Sequence, residues 1–242
     1  RDYVRLVVAG AEAESDIGLL QSVNRQALRA LEIYADPAWA PTGYELMADN
    51  ALAALRRAEP GSDHQLAWVH ALLGAARSPE HIDFLAGLLA GTEVLDGLAL
   101  DPELRWAIVQ SLAARGRYDD QDIDAELAAD PSAAGLRYAL SAKSLLPTPE
   151  AKAEAWRRAT EDDSLTNAMQ EAVIVGFAHS TQGELIAPYM QRYFDTVFDV
   201  WQRRSSEIAQ NVVIGLFPTW TSTIDQATLD AADAFLRRPE IP

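Results

Sequence analysis

Helix breakers cut this chain at near-regular intervals, and between them apolar residues recur at helical spacing. The breaks are Asp36-Pro37, Pro41, Pro60-Gly61, Ser78-Pro79, Asp101-Pro102, Asp130-Pro131, Pro147-Thr148-Pro149 and Pro218. They leave segments of about 10–20 residues, an ordinary helix length. Leu19, Leu20, Val23, Ala27, Leu28, Leu31 and Tyr34 fall on one helical face, as do Leu46, Met47, Asn50, Ala51, Ala54 and Leu55. No stretch shows the alternation of a half-buried strand. Val212-Val213-Ile214 is short enough for one, but it lies inside an apolar helical stretch. The pattern predicts an all-α protein.

One segment, LDPELRWAIVQSLAARG at residues 100–116, carries every helix signal. Asp101 is a natural N-cap, because its carboxylate can accept the orphan N–H groups of the first turn. Pro102 suits the first helical position, where its missing donor costs nothing. Glu103 favours the positive end of the helix dipole and Arg115 the negative end. Leu104, Ile108 and Leu112, with Trp106, Val109 and Ala113, supply an apolar face, and Gly116 can take the left-handed conformation that ends the helix. Arg105 has no such evident structural task.

The segment has an echo. At one constant offset Asp63, Leu66 and Trp68 match Asp101, Leu104 and Trp106, and Ala75-Ala76-Arg77 matches Ala113-Ala114-Arg115. Downstream, Leu85 and Leu89 align with Ile123 and Leu127. A helix-pair repeat of about 40 residues is the signature of a solenoid. The repeat spans only the middle of the chain, and chance likeness between two alanine-rich amphipathic helices is the alternative reading; the expectation for residues 1–242 is a single helical-repeat domain, a HEAT/armadillo-like α-solenoid of antiparallel helix pairs.

Chemistry is harder to find. His64, His70, His81 and His179 show no HExxH spacing, and His64 and His70 are poorly placed on one helix face, so capped or exposed histidines are expected rather than a zinc site. There is no GxSxG, GxxxxGK[ST] or GxGxxG; Gly176 and Gly183 bracket FAHSTQ, which reads as a connector. The acidic run Asp119, Asp120, Asp122, Asp124 and Glu126 lacks the glycine and closing glutamate of a calcium loop; Asp119 and Asp120 read as an N-cap and first-turn acids, and the rest as a solvated face. Glu161-Asp162-Asp163-Ser164 reads as the cap of a helix starting near Leu165. Tyr189, Tyr193, Phe194, Val197, Phe198 and Trp201 form an aromatic stripe on a predicted helix from about Glu184 to Arg204. Core packing is the first expectation for such a stripe, and a peptide groove the second. Arg203-Arg204 would complement the negative end of that helix. No catalytic or metal-binding residue emerges, and the residues that would face a substrate remain unassigned.

Composition narrows the partners. A formal net charge of −16 over 242 residues argues against nucleic acid and against anionic membrane surfaces. Cysteine is absent, so neither disulfides nor thiolate sites arise, and no asparagine stands in a glycosylation acceptor; an intracellular, cytoplasmic protein is expected. No apolar run approaches a membrane span. The opening Arg1 fits a piece of a longer polypeptide or a processed product.

DPELRW, the run PYMQRYFDTVFDVWQRRSSEIAQNVVIGLFP at residues 188–218 and the opening RDYVRLVVAG, in that setting, resemble the C-terminal helical domain of the bacterial aminopeptidase N family, which the endoplasmic-reticulum aminopeptidases share. The resemblance runs along essentially the whole chain. It implies a parent zinc metallopeptidase that binds zinc through HExxH and a downstream Glu, and the substrate amine through GxMEN. Neither motif occurs here, so no catalytic role carries over to any position, and zinc would belong to a catalytic domain upstream. The implied partners are the catalytic and N-terminal domains of the same parent chain and a peptide substrate, with no nucleic acid and no membrane. The implied function is a non-catalytic cap that encloses the active-site chamber and controls peptide access. Two other expectations stand beside it: a free-standing helical-repeat scaffold that binds proteins, and an all-α hydrolase, which the missing nucleophile–base pair disfavours.

Overall fold

A computed structural model describes residues 1–220 and 224–239. Among them the chain is all-α, with fourteen α-helices, one short 3-10 turn and no strand. The helices are α1 (Asp2–Gly10), α2 (Ile17–Ile33), α3 (Ala40–Arg57), α4 (Asp63–Ala75), α5 (Pro79–Ala90), α6 (Pro102–Ala114), α7 (Asp120–Ala129), α8 (Ala133–Leu145), α9 (Pro149–Glu161), α10 (Asn167–Phe177), α11 (Gly183–Ile186), α12 (Tyr189–Arg203), α13 (Ser206–Gly215) and α14 (Gln226–Leu236). Val212-Val213-Ile214 lies within α13, as its helical surroundings require. Two compact units are distinguished, Arg1–Leu112 and the chain from Ala113 onward.

The helix ends follow local chemistry. Asp101 Oδ1 accepts from Leu104 N at 2.8 Å, α6 begins at Pro102, and Gly116 has φ +69°, so the segment at 100–116 behaves as its residues dictate. All six residues of its expected apolar face are buried. The echo differs in detail. Ser62, not Asp63, caps α4, accepting from Gln65 N at 3.1 Å, and Asp63 sits inside the first turn. Trp68 and Trp106 are both buried, and so are Leu85 and Ile123 at the matching places, while Leu66 is exposed where Leu104 is buried.

In the first unit α2 packs against α3 and α4, and α3 runs closely along α4. Its buried row on α2 is Leu20, Asn24, Ala27 and Leu31. Leu19 and Tyr34, expected on that face, are exposed. The true row steps by four and then three residues, and the expected set spread too widely around the helix. In the second unit α10 lies against α8, α9 and α13. Gly176 of α10 permits the closest approach: a Cβ there would meet the Ser141 carbonyl oxygen of α8 at 2.3 Å. The core of this unit is aromatic. The Phe177 ring has the Trp156, Tyr189 and Trp220 rings at 5.7, 5.0 and 5.6 Å. Tilted and edge-on contacts of this kind add to the area buried.

Two predicted boundaries move. The helix expected over 184–204 is two, α11 and α12, because Pro188 supplies no donor to continue the first. The helix expected near Leu165 begins at Asn167, capped by Thr166, whose hydroxyl accepts from Met169 N. Asp162 is used instead in a local turn, its Oδ1 accepting from Ser164 N and Oγ at 2.9 and 2.6 Å.

Candidate functional site

In the second unit the ends of α8 and α9 border a cleft of about 300 Å³. Asp120 of α7, Lys143 and Ser144 of α8, and Glu150, Glu154 and Arg158 of α9 line it. Most of its charges are neutralised in pairs. Lys143 Nζ lies 2.7 Å from Asp124 Oδ1 and 3.7 Å from Asp120. Glu154 accepts from Arg157 and Arg158, which hold its carboxyl down at about 2. Behind the cleft lies Lys152. It is completely buried, and its Nζ donates to Ser144 O at 2.6 Å. Desolvation pushes this amine down from 10.5 to about 7. The sequence carries a signal for it, since Lys152 stands in the same helical row as Ala155, Trp156 and Ala159.

Several side chains in the second unit close helix ends from a distance. Gln182 Nε2, in the connector between α10 and α11, donates to Ala114 O at 2.8 Å and to Leu145 O at 2.6 Å. Gln170 Nε2 donates to Ala159 O at 2.7 Å. Arg204 donates to Asp162 O at 2.9 Å and pairs with Asp163 at 3.1 Å. Arg204 was expected to serve the end of its own helix and instead serves the end of α9. Arg203 stays on α12, paired with Asp199 at 2.6 Å.

In the first unit His81 is 2% exposed, with Ser78 Oγ 2.7 Å from Nδ1 and Asp49 Oδ1 2.9 Å from Nε2. An ionised carboxylate only accepts, so in the neutral ring Nε2 carries the proton and the Ser78 hydroxyl donates to Nδ1. The order Ser–His–Asp is that of a nucleophile relay. Its use here is structural: Ser78 Oγ also accepts the His81 backbone N–H as the N-cap of α5. His64 Nε2 lies 3.2 Å from Glu14 O, beside a shallow cleft of about 380 Å³ that Arg57 and Glu12 border with a two-pronged ion pair at 2.7 Å. His70 is exposed, and His179 Nδ1 lies 2.8 Å from Thr181 Oγ1.

The remaining candidates from the sequence are placed as follows. Asp119 caps α7, accepting from Gln121 N and Asp122 N, while Asp122 Oδ2 accepts from Asp119 N. Asp120, read as a first-turn acid, and Asp124, read as part of a solvated face, are held by Lys143. Tyr189, Tyr193, Phe194 and Val197 are buried in the core, Phe198 is half-buried and Trp201 is exposed. The stripe is therefore packing, not a groove. Among the described residues no group of three or more His, Asp or Glu is placed to hold a metal ion. No helix among them is long and apolar enough to cross a membrane.

The sequence profile of the ERAP1-like C-terminal domain matches residues 1–242. The aminopeptidase N of Streptomyces lividans is 49% identical over 244 residues, which cover 99% of this chain and 28% of that protein. The chain thus spans under a third of the curated relative it matches.

Proposed function

The chain belongs to the ERAP1-like C-terminal domain family, and on that premise we propose that it is the non-catalytic cap of an aminopeptidase N-like zinc metallopeptidase. The observation that carries the reading is the match along the whole chain to a portion of an aminopeptidase N, in a sequence with neither HExxH nor GxMEN. The cap encloses the active-site chamber and limits which peptides enter. Zinc and the peptide-bond chemistry belong to a catalytic domain of the parent chain, which with the N-terminal domain is the partner of this one. The helix-pair echo at 63–90 and 101–129 supports reading residues 1–242 as a single helical-repeat domain. The net charge of −16 favours a peptide's free amine wherever the acids face the chamber. The reading places the protein in the cytoplasm.

The test is hydrolysis of an aminoacyl fluorogenic substrate and of peptides of graded length, with zinc, by the catalytic part with and without this chain. The chain alone is expected to be silent, and its addition to change the length preference of the catalytic part. Enzyme-like turnover by the chain alone that survives a chelator would overturn the reading.

A further inference from the structure

Lys152 occupies a place where the pattern of α9 calls for an apolar residue, and its surroundings suit a neutral group. An ammonium there has three donors, and Ser144 O is its one acceptor among the described residues. The other neighbour is the Phe177 ring, whose centroid is 5.9 Å away, a weak compensation. Among the described residues no carboxylate is paired with Nζ. The charged groups of the helices packed on α9 are engaged or turned outward. Lys143 of α8 pairs with Asp120 and Asp124, and Arg137 bonds back to Ala133 O. Glu171 of α10 and Glu184 of α11 are exposed, and Arg192 of α12 lies over the Tyr189 ring. The Tyr189 phenol is itself pushed up by burial. Charge on Lys152 therefore stays unbalanced inside, and burial favours the free amine.

An exit lies next to it. Ser144, whose carbonyl accepts from Nζ, and Ala151 and Ala155, which stand beside Lys152 on α9, all line the cleft. Glu150, exposed and with no hydrogen bond or ion pair among the described residues, stands at that cleft. We propose that Lys152 is a proton-operated latch on the seam between α8 and α9. The uncharged amine stays inside and holds the end of α8 through Ser144 O, and the ammonium moves out through the cleft wall towards Glu150, which frees that end.

Only Lys143 and Lys152 are lysines, so the 242-residue chain labelled with ¹³C at lysine Cε shows two signals, and Lys143→Arg assigns them. The Lys152 signal is expected to titrate near pH 7. Across the same range, amide exchange at the end of α8 and the start of α9 should speed up at least tenfold on acidification, relative to α3 as internal reference. Lys152→Met should remove that response. Titration of Lys152 near 10.5 would overturn the latch, because the charge would then be accommodated. A titration near 7 with no change in relative exchange would also overturn it, and so would a response that persists in Lys152→Met. Should the Met variant not fold, the titration and exchange of the Lys143→Arg chain decide alone.

Discussion

The side-chain amide of Gln182 reaches the Leu145 carbonyl at 2.6 Å and closes the end of α8 from a connector 37 residues further on. The same nitrogen serves Ala114 at the end of α6. Gln182→Leu keeps the bulk and removes both donors. Two carbonyls then lose their partners, while the buried Oε1, which has no partner, is relieved. The expected net loss is about 2 kcal/mol, read as a lower urea midpoint by tryptophan fluorescence. An unchanged midpoint would mean that water replaces the amide at both ends.

Asn24 is the opposite case. It is 4% exposed on the inner row of α2, and neither Oδ1 nor Nδ2 has a hydrogen-bond partner among the described residues. Asn24→Leu removes two desolvated polar atoms and should stabilise the chain by about 1–2 kcal/mol. A fall in the melting temperature would show that the amide does work which its neighbours do not display.

Gly176 is held by contact rather than by backbone conformation. Its missing side chain lets α10 lie against the Ser141 carbonyl of α8, where a methyl would sit at 2.3 Å. Gly176→Ala gains helix propensity of about 1 kcal/mol and loses more to the clash with rigid backbone. The net expectation is a destabilisation of about 1–3 kcal/mol. A more stable variant would show that the two helices part without cost.

Tyr193 gives a pH dependence with a definite sign. Its hydroxyl donates to Val213 O at 2.9 Å, and burial raises the phenol from 10.0 to about 12. The folded protein keeps this proton between pH 10 and 12 while the unfolded chain releases it. The stability Tyr193 contributes is therefore complete below pH 10 and is lost as pH rises through 12. Ultraviolet difference titration of wild type against Tyr193→Phe should show one phenol ionising about two units late; ionisation near 10 would show that the ring is wetter than its packing implies.

Much of this was legible in the residues. Asp101, Pro102 and Gly116 announce both ends of α6, because caps and left-handed glycines are local chemistry. Pro188 was as visible as they were, yet the aromatic period on either side of it suggested one continuous helix. The acids after Glu161 look like a cap, but a carboxylate two residues before a serine forms its own turn, which leaves the capping to Thr166. The pairings that define the candidate site were out of reach for a different reason. Ser144 O becomes a partner of Lys152, and Leu145 O of Gln182, only when separate helices meet, and a carbonyl carries no sequence signal. Lys152 could still have been flagged, since a lysine in register with Ala155, Trp156 and Ala159 is an inconsistency in the apolar pattern. His81 could have been flagged too, as the third helical residue after a serine cap.

Closing helix ends from far along the chain has a consequence for synthesis. A ribosome delivers α6 and α8 well before Gln182, and α9 before Arg204, so these helices emerge with terminal carbonyls that have no lasting partner. At about 5–20 residues per second the wait for Gln182 after Leu145 is a few seconds. For that time the nascent second unit is an incomplete object, and its last turns settle only when the connector after α10 has left the exit tunnel.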